Sequence, residues 1–254
     1  MADGILLRRL VLRPAVLPTV SFGPFQLLEA MPWLMFASAM RFVAYTNPIL
    51  AVPAIVLASY AILLAFLLAA RRMIEIADGT TQLGKLAFAD QLRLARRTLG
   101  RIVLLLIGAA TLAVFFVPKL AIHLFAGFDG IAFDQFSKIG IAWSVILATI
   151  VLLMVVRAGD AEEVTLIDAV RELWSRWLCL VPAIILLTLL LIALSAIQGE
   201  ARGLVVLVFR SDVPMQIKNL VYFFFVFSFA ALRLWMTLAV LVFALRESYR
   251  DAAA

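Results

Sequence analysis

Histidine and cysteine are almost missing from this chain. Its 254 residues contain one His, His123, and one Cys, Cys179. That excludes a disulfide framework and a Cys/His zinc site, and haem cannot be held by two histidines of this chain. Charge is scarce too: 15% of residues are Asp, Glu, Lys or Arg, where a soluble domain carries about a quarter. Glycine-rich phosphate loops, Gly-x-Ser-x-Gly elbows and His-Glu-x-x-His pairs do not occur. A catalytic histidine would have to be His123, just past Pro118, and the competing reading is a histidine facing lipid headgroups. Cys179 opens an apolar segment and reads as a small apolar filler. Asp129 and Asp134 share one connection with no third ligand type beside them, so no metal site is expected. No cofactor is expected, and the chain does not read as an enzyme.

What remains is apolar. Hydrophobic residues make up 65% of the chain, and its mean hydropathy is +1.10. Water would not tolerate so much apolar surface, so the expected fold class is an all-α integral membrane protein. Residues 1–254 then form a single polytopic membrane domain. About 20 apolar residues cross a bilayer, which leaves room for six helices and for no large soluble domain. The net charge of +6 is assigned to basic loops facing anionic lipid rather than to nucleic acid. The opening residues 1–18 carry Arg8, Arg9 and Arg13 but lack the long apolar core of a cleaved signal peptide.

Residues 86–101 read as a cationic amphipathic helix leading directly into an apolar run, 102–117. Asp90, Arg93, Arg97 and Arg101 share one helical face, and Phe88, Leu92, Ala95 and Leu99 share the other. The arrangement returns 78 residues later without a gap. Asp168 falls on Asp90, Arg171 on Arg93, Leu166 on Phe88, Val170 on Leu92 and Trp177 on Leu99. The second surface helix, 165–177, sets Leu166, Val170, Leu173 and Trp177 against Asp168, Arg171, Glu172 and Ser175. Trp174 and Trp177 suit the headgroup level. The repeat units are therefore about 86–163 and 164–241, each a surface helix followed by a helical hairpin.

The expected spans are 25–45, 49–70, 102–117, 139–156, 178–197 and 220–245. The first is ambiguous. Glu29 and Arg41 bracket 11 uncharged residues, about 17 Å of helix, so it crosses only if both charges snorkel. Lys and Arg number 15 across residues 1–21, 71–101, 157–177 and 246–254, against 5 across 118–138 and 198–218. This bias places the first group in the cytoplasm. It fits six spans with both termini cytoplasmic; five spans, with the N-terminus outside, is the alternative.

Three features suggest contact or function. The outer connection 118–138 holds Phe125, Phe128, Phe133 and Phe136, and the connection 198–218 holds the apolar run 204–209, with Val206 and Phe209. These, with Trp174 and Trp177, are the interface candidates, since an exposed apolar loop normally marks a contact surface; packing of the loops within the protein is the other reading. Arg233 interrupts the last span. Together with Glu29 and Arg41 it is a candidate intramembrane charge, and such charges usually mark a site or a pair. Its expected partner is Glu29 or a lipid phosphate. The geometric alternative uses the 78-residue offset, which puts Arg233 on Val155, near the inner headgroups. The surface helices either anchor cytoplasmic loops or dock a partner.

Two resemblances bear on function. Glu163-Val-Thr, Ala169 and Pro182 have the spacing of the coupling loop in importer permeases of binary ABC transporters, although that loop's two alanines and its glycine are absent here. More of the chain is covered by a second likeness. The segments Thr165-Leu-Ile-Asp-Ala-Val-Arg-Glu-Leu-Trp-Ser-Arg-Trp and Phe88-Ala-Asp-Gln-Leu-Arg-Leu-Ala-Arg-Arg, each leading into a long apolar span, carry it. In these the chain resembles the multi-pass membrane domain fused to some bacterial glycerophosphodiester phosphodiesterases, and the free-standing six-span relatives of that domain. The resemblance implies a non-catalytic module of the bacterial inner membrane, lipid-linked or part of a larger assembly. The phosphodiesterase domain has no counterpart here, so no catalytic residue carries over. The expectation is a non-enzymatic scaffold or accessory subunit whose partners are membrane lipids and other membrane protein subunits. The alternatives are a permease or transporter subunit with cytoplasmic coupling helices and, more distantly, an enzyme acting on lipids. The scarcity of polar residues within the spans favours the scaffold.

Overall fold

The structure, a computed structural model, describes residues 27–76, 88–135, 137–158 and 166–251. Every regular element in it is helical. Helix α1 (Met31–Thr46) has Pro32 in its first turn, where an absent N–H leaves no hydrogen bond unmade. It ends at Asn47, whose extended backbone (φ −132°, ψ 94°) is what the following Pro48 requires. A single 3-10 turn, Pro48–Leu50, reverses the chain into α2 (Ala51–Ile76). Helix α3 (Phe88–Phe116) stops where Pro118 withholds a donor, and the short α4 (Pro118–Phe125) begins there. A 3-10 stretch, Ala126–Ile131, then leads to α5 (Lys138–Ala158). Helices α6 (Leu166–Ser175), α7 (Trp177–Arg210) and α8 (Met215–Asp251) complete the fold.

Five of these helices, α2, α3, α5, α7 and α8, are long and apolar enough to cross a membrane. Helix α1 has 16 residues, about 24 Å, and falls short of a hydrocarbon core of about 30 Å. Helix α5 is the centre of the bundle. It is apolar all round, which is the pattern of a buried helix, and Ile150 to Val155 are almost wholly enclosed. Helices α6, α7 and α8 pack on it, α7 lies along α8, and α1 bridges α2 and α8. Lipid tails are as apolar as leucine, so helices in a bilayer are held by close packing and by polar contacts. The few polar contacts here therefore carry more weight than they would in a soluble bundle.

Several expectations are corrected. The first surface helix and its span are one continuous helix, α3, because nothing at Arg101-Ile102 interrupts the backbone ladder. In the second unit the chain breaks at Arg176, between α6 and α7. Residues 198–218 are not a loop. Helix α7 runs on to Arg210 and α8 starts at Met215, so the link is only residues 211–214; no proline intervenes before Pro214. The last helix likewise exceeds 220–245. On α6 the apolar face, expected to meet lipid or the spans, is divided between the two, and a polar residue joins the packed side. Leu166 and Leu173 do pack on the core, but Val170 and Trp177 point outward, while Ala169 and Glu172 are buried. Glu172 is enclosed because Arg176 Nε donates to its Oε1 at 3.2 Å, and Arg176 Nη1 donates to Ser248 Oγ at 3.1 Å, tying α6 to the end of α8. On α3, Leu92 and Leu99 pack against the core as expected. The opening segment, residues 77–87, Phe136 and Glu163 lie outside the described residues, and so do the side chains of Phe88 and Phe125.

Candidate functional site

The connection between α4 and α5 is folded into the bundle. Two glycines allow it. A Cβ on Gly127 would lie 2.2 Å from Trp143 Cδ1, and one on Gly130 would lie 2.6 Å from Ser144 Cβ, so the backbone of 127–130 rests directly on the first turns of α5. Trp143 Nε1 donates to the Leu124 carbonyl at 2.9 Å. Phe128, Ile131, Ala132 and Phe133 are all buried. Irregular backbone among apolar helices is tolerated only when protein covers it, and here it is covered. Phe128 and Phe133 therefore leave the interface candidates: they are packing residues, not an outward patch.

This placement delivers two carboxylates to two arginines. Asp129 Oδ2 accepts from Arg41 Nη1 of α1 at 2.6 Å, and the Arg41 guanidinium lies 4.4 Å over the Phe133 ring. Asp134 Oδ1 accepts from Arg233 Nη2 of α8 at 3.0 Å and from Ser195 Oγ of α7 at 2.6 Å. Arg233 Nη2 also donates to Ser195 Oγ at 2.9 Å, which closes a triangle. Arg202 Nη2 stands 3.8 Å from Asp134 Oδ2, a charge contact beyond hydrogen-bond length. Arg233 has no exposed surface, and its Nε and Nη1, like Gln198 Oε1, have no hydrogen-bond partner among the described residues.

Asp134 thus offsets the charge of a fully enclosed arginine, which would otherwise be very costly in an apolar bundle. Its oxygens face two guanidinium groups, an environment that repels a metal cation. Among the described residues no group of three or more His, Cys, Asp or Glu could hold a metal ion. The cluster's chemistry is charge pairing that joins α1, the 126–134 segment, α7 and α8.

Arg233 and Arg41 are thus brought to one segment, each with its own acid. Glu29 is exposed and is not the partner of Arg233. Nor does Arg233 share the depth of Val155: it pairs with Asp134, just ahead of the first turn of α5, whereas Val155 lies in the last turn of that helix. Val206 and Phe209 lie partly exposed on the last turns of α7, where Phe209 meets the edge of the Tyr222 ring with centroids 6.4 Å apart. Trp174 and Trp177 are exposed at the opposite end of the α7 region. Asp129, Asp134 and Ser195 were not expected to pair with Arg41 and Arg233. The available signal was stoichiometric: the two arginines inside apolar helices, Arg41 and Arg233, are matched by two acids in one Phe-rich connection. Between α7 and α8 runs a further apolar groove, lined by Ala183, Leu186, Ala239, Val240, Phe243 and Ala244.

No family model, curated protein or solved structure matches this chain.

Proposed function

We propose that this chain is a non-enzymatic integral membrane protein, a scaffold or accessory subunit that binds lipid and another membrane protein. The observation that carries this reading is the bare apolar face of α3. Only 17% of its most apolar window is buried, against 72% for α5. Leu104, Leu112, Phe115 and Phe116 are 63–81% exposed. A helix this apolar must be covered by lipid or by another helix. The apolar groove between α7 and α8 suits an acyl chain. The arginines inside the bundle are engaged with its own acids, an arrangement suited to holding a scaffold together.

On this reading α1 is a sixth, short span, supported by α2 and α8 and accommodated by local thinning of the bilayer. Both termini face the cytoplasm of a bacterial inner-membrane protein, as the bias of 15 Lys and Arg against 5 supports. The 78-residue offset reflects two related units, one of which has fused its surface helix to its span. The likeness to the phosphodiesterase-linked membrane domain accords with a non-catalytic role.

The test is isolation of the tagged protein in mild detergent, with mass spectrometry of bound lipid and protein. Retained lipid and a co-purifying membrane protein are expected, and Leu104→Ser with Phe115→Ser should reduce both while the protein stays folded. A wild type that carries neither would refute the proposal.

A further inference from the structure

We infer that the outward face of α7 around residues 199–206 is a homodimer interface, closed by two reciprocal Glu200–Arg202 ion pairs. The inference rests on the reading above that the chain binds another membrane protein, and it identifies that partner as a second copy.

The starting observation is a pair of charges without a full partner in an apolar region. Glu200 is exposed and makes no hydrogen bond or ion pair among the described residues. The Arg202 side chain is half exposed, and among the described residues its one ion pair is with Asp134 at 3.8 Å, too long for a hydrogen bond. Around them Ile197, Leu204 and Leu207 are 61–67% exposed. A lone carboxylate among such neighbours is expensive in a bilayer unless a cation meets it.

The geometry decides which cation. At about 100° per residue, Gly199, Gly203 and Val206 fall in one stripe. Glu200 lies roughly 70–90° to one side of it and Arg202 roughly the same to the other. Among the described residues nothing stands within 4 Å of a Cβ placed on either glycine, so the stripe is open to a partner. Two copies in one membrane share the same orientation, so their two-fold axis is the membrane normal and their α7 helices run parallel. In a parallel pair, opposite flanks of the contact stripe meet, as e and g positions do in a coiled coil. Glu200 of one protomer then faces the partner's Arg202, and the pair recurs across the axis. The glycines let the backbones approach closely enough for this, as in other small-xxx-small helix pairs. A different protein would need the complementary charges at matching heights; a second copy supplies them by symmetry.

The experiment uses the full chain, labelled at its C-terminus and reconstituted in liposomes, with single-molecule photobleaching over a range of lipid dilutions. Wild type should pass from dimer to monomer as lipid is added. Glu200→Gln, which removes no contact within the protomer, should shift the midpoint about tenfold toward monomer, as should Gly203→Leu. Glu200→Arg should weaken the dimer further, and adding Arg202→Glu should restore it. An unchanged midpoint in Glu200→Gln overturns the inference, whatever the Arg202 variants do to folding. A wild type that is monomeric at every dilution, yet still co-purifies with a different membrane protein, overturns the dimer and leaves the broader reading standing.

Discussion

Asp134 Oδ1 lies 3.0 Å from Arg233 Nη2, across 99 residues of sequence. The contact pins the segment before α5 to the middle of α8, and Ser195 joins it from α7. Removing one partner of a buried ion pair leaves the other uncompensated, at about 3–5 kcal/mol. Asp134→Ala and Arg233→Leu should therefore each lower the thermal midpoint in detergent sharply. Asp134→Asn combined with Arg233→Met should lose less than either single change, because no charge is stranded. Additive losses in the pair would show that the two side chains act separately.

Gly127 is required by contact. Its added Cβ would fall 2.2 Å from the Trp143 ring, and Trp143 is held by its bond to the Leu124 carbonyl. Gly127→Ala should destabilise by about 1–3 kcal/mol, the range for overpacking. Gly108 in α3 has nothing within 4 Å of the same position, so Gly108→Ala should be neutral or stabilising by about 0.5–1 kcal/mol. Thermal unfolding in detergent separates the two. Equal effects would mean that the connection does not rest on α5.

Glu172 anchors the end of the bundle where α6 meets the last turns of α8. It is 5% exposed and accepts from Arg176, which also bonds Ser248. Glu172→Ala should cost about 1.5–3 kcal/mol, as for a lost charged hydrogen bond. Trp174, 80% exposed on the same helix, should change stability by less than about 0.5 kcal/mol when replaced by Ala. A larger loss at Trp174 would show that the outward face is packed as well.

Much of the architecture is legible in local sequence, and the failures share one cause. The central helix α5 shows itself because Ile150 to Val155 admit no polar side. The Pro48 and Pro118 breaks are equally local. The end of α7 was hidden because Gln198, Glu200 and Arg202 look like a loop when read alone. They remain helical because the apolar run 204–209 continues the same ladder and Asp134 meets Arg202 from another part of the chain. Burial of Phe128 and Phe133 was hidden for a related reason. A Phe-rich connection is ambiguous until Gly127 and Gly130 are seen against Trp143 and Ser144. Arg233 is conspicuous in sequence, but nothing near it names a partner 99 residues away. On α6 the amphipathic period left open whether lipid or the spans meet the apolar face, and burial of Glu172 was hidden because only its bond to Arg176 lets a carboxylate occupy the packed side.

The membrane arrangement is tested most directly by cysteine accessibility in intact cells, with Cys179→Ala as background. Single replacements Thr80→Cys, Gly159→Cys and Ala253→Cys should resist an impermeant maleimide until the membrane is permeabilised. Asp212→Cys, in the exposed link between α7 and α8, should label at once. Labelling of Thr80→Cys in intact cells would contradict the topology.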